Sequence, residues 1–254
     1  MFSPREFQPA NRAPVVFLSG AASDPADWTW LAEYIGGTFR IAVPDVRLDN
    51  RAVPAEWVSA AEEAVRREAV DSGGQVNIVA HGPGAIPALR FASRNPGSVR
   101  SLVLIEAVVS GEHRDISGFR AMADAFQSFS AEGDAAAASG WYTDYWHGKG
   151  TWSRSSAALR QTMSFRTGAT RRDIEAVLSI RLRDEDLASV VCPVLLINGE
   201  QTTLDAQEVS ARLSREVPFA QAMEIPDAGH LPQITAPHVT HPLIREFLVR
   251  IAHH

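Results

Sequence analysis

Six short apolar runs limit what this chain can fold into: Val15 to Leu18, Arg40 to Val43, Val76 to Val79, Leu102 to Ile105, Val194 to Ile197 and Ala222 to Ile225. Between them lie stretches with amphipathic helical spacing, Asp24 to Ile35, Pro54 to Val70, Pro83 to Ser93, Leu204 to Arg215 and Thr240 to Ile251. Runs apolar on both faces and alternating with helices predict a mostly parallel sheet between helical layers, an α/β fold. Asp24 followed by Pro25 supplies a cap and a first turn, and Pro54 opens the second helix in the same way. The alternation breaks between about Ser110 and Ser189, where no strand-like run occurs and the sequence is rich in alanine and aromatic residues. The expected organisation is therefore an α/β core in two parts, 1–110 and 189–254, with an inserted helical cap at 111–188.

A cap placed between strands roofs a pocket. Trp141, Tyr142, Tyr145, Trp146 and Trp152 either line that pocket or hold the cap together, and for any single ring the two readings weigh equally. Trp146 is taken as a substrate contact, and the Gly148-Lys149-Gly150 turn as a hinge for the lid.

The chain has 254 residues, 45% of them hydrophobic, enough for one large core or a core with a small lid. A net charge of -6 gives no electrostatic footprint for a nucleic-acid backbone or an anionic membrane, so a small molecule is the expected partner. The segment Met1 to Pro14 has no apolar signal core and no run reaches membrane-span length, which predicts a cytoplasmic protein. Cys192 is alone and reads as a packed core residue, and His253 and His254 as a solvated tail. No metal-ligand spacing and no phosphate-cradling glycine loop is present, so no cofactor is expected. Nothing in the sequence speaks to oligomeric state.

The third run leads into Ala80-His81-Gly82-Pro83-Gly84-Ala85 and then a helix. In the pattern G-x-S-x-G a serine nucleophile occupies the strained residue of such a strand-turn-helix junction. Here the small outer residues Ala80 and Gly84 are kept while the central position is Gly82. The residue after the nucleophile normally lends its backbone N–H to the oxyanion, and Pro83 has none. Losing one such donor costs roughly 2.7–4 kcal/mol of transition-state stabilisation, and losing the nucleophile removes the covalent route. Departures at two adjacent positions fit divergence better than one introduced substitution. The missing side chain leaves space at Gly82 for substrate or water.

Beyond the last apolar run, Pro226-Asp227-Ala228-Gly229-His230 puts a histidine in a loop. With Val15 to Trp28, Val43-Pro44-Asp45-Val46-Arg47, the glycine elbow, Ser101 to Ala107 and Pro193 to Glu200, the chain resembles the α/β-hydrolase superfamily over nearly its whole length. Its stretch Trp141 to Trp152 is also similar to the cap of bacterial members. The resemblance implies His230 as the catalytic histidine. The usual acid would fall at about Thr202, which cannot stabilise an imidazolium as a carboxylate does. Some members take the acid from the end of the strand after the elbow helix, and there this chain has Glu106, a charge that is costly to bury without a partner. Asp205 and Glu200 are the rivals, and placement favours Glu106. The oxyanion loop reads Ser19-Gly20-Ala21-Ala22; the Ala21 N–H is a candidate donor, and Ser19 is either a polar substrate contact or a satisfied structural residue.

Proton transfer is what a histidine and a carboxylate can still do, for about 10² to 10⁴ in rate. The expectation is a cofactor-independent acid–base enzyme acting on a small apolar or aromatic metabolite; the resemblance implies oxygenase or carbon–carbon lyase chemistry, and cyclase or isomerase chemistry stays open beside it. Hydrolysis of an activated ester, lactone or epoxide by histidine-activated water is a second expectation. A catalytically inactive binding protein is a third.

Overall fold

The computed structural model describes residues 13–20, 22–46, 53–111 and 116–253. Its strands are β1 (Val15–Leu18), β2 (Ile41–Ala42), β3 (Val76–His81), β4 (Val99–Ile105), β5 (Ser110–Gly111), β6 (Arg181–Leu182), β7 (Val194–Gly199) and β8 (Ala220–Ile225). Six of them form a wholly parallel sheet in the order β2-β1-β3-β4-β7-β8. All six apolar runs are strands of this sheet, and the α/β expectation holds.

The helices are α1 (Thr29–Gly36), α2 (Pro54–Asp71), α3 (Ala85–Arg94), α4 (Ser117–Ala131), α5 (Ala135–His147), α6 (Thr151–Arg154), α7 (Ala157–Phe165), α8 (Thr167–Ser179), α9 (Asp184–Ala188), α10 (Leu204–Glu216), α11 (Pro232–Thr235) and α12 (Pro237–Ala252). The two-residue period of the central strands divides the core. Val16, Leu18, Ile78, Leu102, Leu104 and Leu196 pack with residues of α2, α3 and α10. Val15, Phe17, Val79, Val103, Ile105 and Ile197 pack instead with α1 and α12. Each such side chain, fully buried, contributes about 1.5–3 kcal/mol relative to exposure. The sheet is thus held from both faces, and the C-terminal ends of β3, β4 and β7 are fixed platforms for loops.

Several expectations are corrected. The start of the Asp24 to Ile35 helix is a 3-10 turn, Pro25–Trp28, in which Asp24 caps the Ala26 N–H at 3.0 Å. The start of the Pro83 to Ser93 helix is likewise a 3-10 turn, Gly82–Gly84. The last helix begins at Pro237 rather than Thr240, with Pro at its first turn and Pro242 inside it. The stretch read as strand-free carries a short parallel bridge, Ser110 to Arg181 and Gly111 to Leu182. Two residues are too few to show a period, and their partners lie far apart in the chain. Arg47, Ala21, most of Met1 to Pro14, and His254 lie outside the described residues.

Candidate active site

β3 runs into the turn at Gly82, which sits at φ +54, a left-handed conformation that glycine takes without cost. A Cβ built there meets no atom within 4 Å, so the space a serine would fill is open. Gly84 is required for a different reason: a Cβ would lie 2.6 Å from the Leu18 carbonyl oxygen, because β1 and the elbow are in backbone contact. Pro83 follows at the second position of the turn, with no N–H to offer.

Glu106 directly follows β4 and has φ +49, uncommon for a residue with a side chain. It is wholly buried. Its carboxylate accepts from the Gly199 N–H at 2.6 Å, from the Thr202 hydroxyl at 2.5 Å, and lies 3.1 Å from His230 Nδ1. Thr202 therefore supplies a hydrogen bond to the buried carboxylate. Burial raises the Glu106 carboxyl, and the Thr202 and Gly199 donors oppose that rise.

The His230 loop is stitched to the end of β7. Gln201 donates its N–H to the Ala228 carbonyl at 2.8 Å, and Asp227, at φ +57, donates its N–H to Glu200 Oε2 at 2.9 Å. Glu200 is thus a loop anchor. Gly199 has to be glycine, since a Cβ would collide with the Ala228 carbonyl oxygen. Asp205 is likewise engaged elsewhere. It binds the Tyr145 hydroxyl and accepts from the Gly118 N–H at 3.3 Å, tying α10 to the cap helices α4 and α5. The carboxylate on His230 is that of Glu106.

With Nδ1–H directed at Glu106, the His230 ring presents Nε2 as a lone pair. Burial, and next the nearby His147, hold the ring well below its ordinary pKa, so it is a neutral base. Trp146, buried on α5, stacks on it with centroids 3.8 Å apart and planes 18° apart. On another side lies His81, the residue before Gly82, with ring centroids 5.1 Å apart and its Nε2 3.1 Å from the His230 carbonyl oxygen.

Above these groups is a cavity of about 420 Å³ whose wall includes His81, Pro83, Trp146, His230, Trp28 and Met163. Ser19 also lines it, and its hydroxyl accepts from Trp28 Nε1 at 2.7 Å. Ala21 lies outside the described residues, but its neighbours show how the loop is held. Asp173 on α8 accepts from the Ala22 N–H at 3.0 Å, and its Oδ2 lies 2.5 Å from where a Gly20 Cβ would be. A carboxylate thus packs against the loop that would otherwise face an oxyanion.

Neither Asp173 nor Thr202 carries a motif, and only the fold brings them to the site. Cys192 is buried, its thiol pushed up to about 12 by desolvation. Among the described residues, no group of three or more His, Cys, Asp or Glu side chains is disposed to hold a metal ion, and no helix is long and apolar enough to cross a membrane.

Comparison with known proteins agrees with this architecture. No curated protein matches the sequence. Among solved structures, an α/β-hydrolase enzyme, MGS-M2, from a Medee basin deep-sea metagenome library is similar at 19% identity and TM-score 0.75, over 93% of this chain and 89% of that one. A thermophilic esterase from Thermogutta terrifontis is similar at 17% identity and TM-score 0.72, over 95% and 91%. MenH from S. aureus is similar at 13% identity and TM-score 0.74, over 95% of both chains. The model of the alpha/beta hydrolase family matches residues 15–242, and the chain belongs to that family.

Proposed function

We propose that this chain is a serine-free enzyme of the α/β-hydrolase fold in which the His230–Glu106 pair performs general acid–base chemistry on a small, largely apolar or aromatic molecule. The observation that carries the proposal is the 3.1 Å contact between His230 Nδ1 and Glu106 beneath a cavity left open at Gly82. In this reading His230 Nε2 takes a proton from a substrate hydroxyl or activated carbon, Glu106 stabilises the resulting imidazolium, and the proton is returned later in the cycle. Covalent acyl transfer is disfavoured three times over: Gly82 has no nucleophile, Pro83 has no N–H, and the Ala22 N–H after β1 is already taken by Asp173.

A second reading, hydrolysis by water activated on His230, is favoured by the same open space and by the esterase among the similar structures. One experiment tests both. Wild type and His230→Ala are assayed on activated esters, lactones and hydroxylated aromatics. Turnover of a hydroxylated aromatic, lowered about 10² to 10⁴-fold in His230→Ala, is the expected result. Histidine-dependent turnover confined to esters and lactones would replace the first reading by the second. Turnover unaffected by the substitution would overturn both.

A further inference from the structure

The acid–base reading leaves His81 unused, as it does His147, which lines the same cavity with its ring centroid 6.1 Å from that of His230, but the chemistry of His81 is the more tightly fixed. Its Nε2 lies 3.1 Å from the His230 carbonyl oxygen, and a carbonyl only accepts. The Nε2 must therefore carry the proton. Desolvation above all, and then His230, lower the ring's pKa to about 3, so it stays neutral and Nδ1 is a bare lone pair. That nitrogen is not among the buried polar atoms left without a partner, although no hydrogen bond reaches it from the described residues. The ring is part of the cavity wall, so Nδ1 is open to the cavity.

His230 has the same pattern in mirror image, Nδ1 committed to Glu106 and Nε2 left as a lone pair. Two neutral imidazoles with centroids 5.1 Å apart thus face one cavity, each fixed in tautomer by a hydrogen bond behind it and each able only to accept. A ligand complementary to this pair brings two donors on neighbouring atoms. The rest of the wall narrows the class: Trp28, Trp146, Trp152, Leu159 and Met163 suit a flat apolar body. Asp27 opposes an anion there, and Arg166 is paired with Asp24 at 3.2 Å.

We propose that His81 is a substrate-contacting specificity residue, and that the pair His81–His230 selects an uncharged aromatic molecule with hydroxyls on adjacent ring atoms. This rests on His230 being the base. One hydroxyl gives its proton to His230 Nε2 while the other keeps its proton and donates a hydrogen bond to His81 Nδ1, so the ring enters the reaction as a mono-anion beside an imidazolium. No oxidant or reductant is required for that step.

The test uses binding, read by quenching of tryptophan fluorescence, with catechol, 2-methoxyphenol and 1,2-dimethoxybenzene as probes. Methylation removes donors one at a time and leaves the ring and its oxygens. Wild type is expected to bind catechol about tenfold more tightly than 2-methoxyphenol. His81→Asn puts an acceptor near the Nδ1 position and retains that preference. His81→Gln keeps a donor toward the His230 carbonyl but lacks the Nδ1 acceptor, and brings the two affinities within about twofold. If His81 merely buttressed the His230 loop, the two variants would behave the other way round, and that result overturns the proposal. Equal affinities for the three probes in wild type overturn it without any variant, so the test survives a variant that does not fold. Turnover is measured separately: activity retained in His230→Ala would fault the base, while the catechol preference of the wild type, read by binding alone, would still stand as the test of the site.

Discussion

Glu106 holds a backbone conformation that costs on the order of 1–3 kcal/mol for a residue with a side chain, and it does so fully buried. Three partners on its carboxylate keep it there, which makes it a residue whose substitution acts on chemistry and structure together. Glu106→Gln keeps the shape but turns one oxygen into an NH₂ group, which cannot accept the His230 Nδ1–H and favours the wrong tautomer. Turnover in that variant is expected to fall by about 10² to 10⁴, and catechol should bind more weakly as well, because the changed tautomer no longer offers His230 Nε2 as an acceptor, as steady-state kinetics and titration would show. His81 and His230 also shape the stability of the protein toward acid. Their folded pKa values lie below 6.5, that of His81 near 3, so the unfolded chain takes up protons that the folded rings refuse. Stability is retained above pH 6.5 and lost as the pH falls toward 3. Glu106, raised by burial, works in the opposite sense, favouring the folded state at low pH and losing that contribution as the pH rises through its folded value. By linkage, His81 alone accounts for about 2 kcal/mol of lost stability between pH 6.5 and roughly 4.5. His81→Asn should therefore show a shallower fall in thermal midpoint over that range than wild type. An equal fall would mean that His81 does not refuse the proton.

At the level of elements, α6 and α7 stand apart from the rest. Neither has a buried residue, whereas every residue of β3 is buried. Leu159 and Phe165 on α7 are exposed, yet Leu159 and Met163 also face the cavity. The segment is entered through Gly148 and Gly150, both at positive φ, where glycine adds freedom and a Cβ would be strained. Such a segment opens at a free energy well below that of global unfolding. Hydrogen exchange should show amides of 151–165 exchanging long before those of β3 and β4, and catechol should slow the former without changing the latter. Uniform protection across both regions would remove the lid role of α6 and α7. The same contrast explains what the sequence revealed. β1, β3, β4 and β7 were legible because burial on both faces demands apolar runs, and Glu106 was legible as a charge at the end of one. The β5–β6 bridge, Thr202 and Asp173 were not, because each depends on partners about 70 to 150 residues away and leaves no periodic trace. His81 stood in plain view within the elbow, but its role follows only from where the His230 carbonyl lies.

For the molecule as a whole, the question is how much separates this scaffold from the esterase whose fold it shares. The sheet, the elbow and the histidine loop are in common with a covalent mechanism; the nucleophile and an oxyanion donor are not. Gly82→Ser has room, since no atom lies within 4 Å of the new Cβ, although the left-handed backbone costs about 1–2 kcal/mol. Were the serine the whole difference, that single change would create an esterase. Pro83 argues otherwise, because without an N–H at that position the tetrahedral intermediate lacks a donor worth about 10² to 10³ in rate. Gly82→Ser alone should give little p-nitrophenyl acetate turnover, and Gly82→Ser combined with Pro83→Ala should exceed it by about 10² or more, with a burst of p-nitrophenol that reports an acyl-enzyme. Asp173 would still accept from the Ala22 N–H, so even the double variant should respond further to Asp173→Ala, which frees that donor. Equal rates in the single and double variants would mean that the proline is incidental and that the missing hydroxyl alone separates this elbow from one able to form an acyl-enzyme.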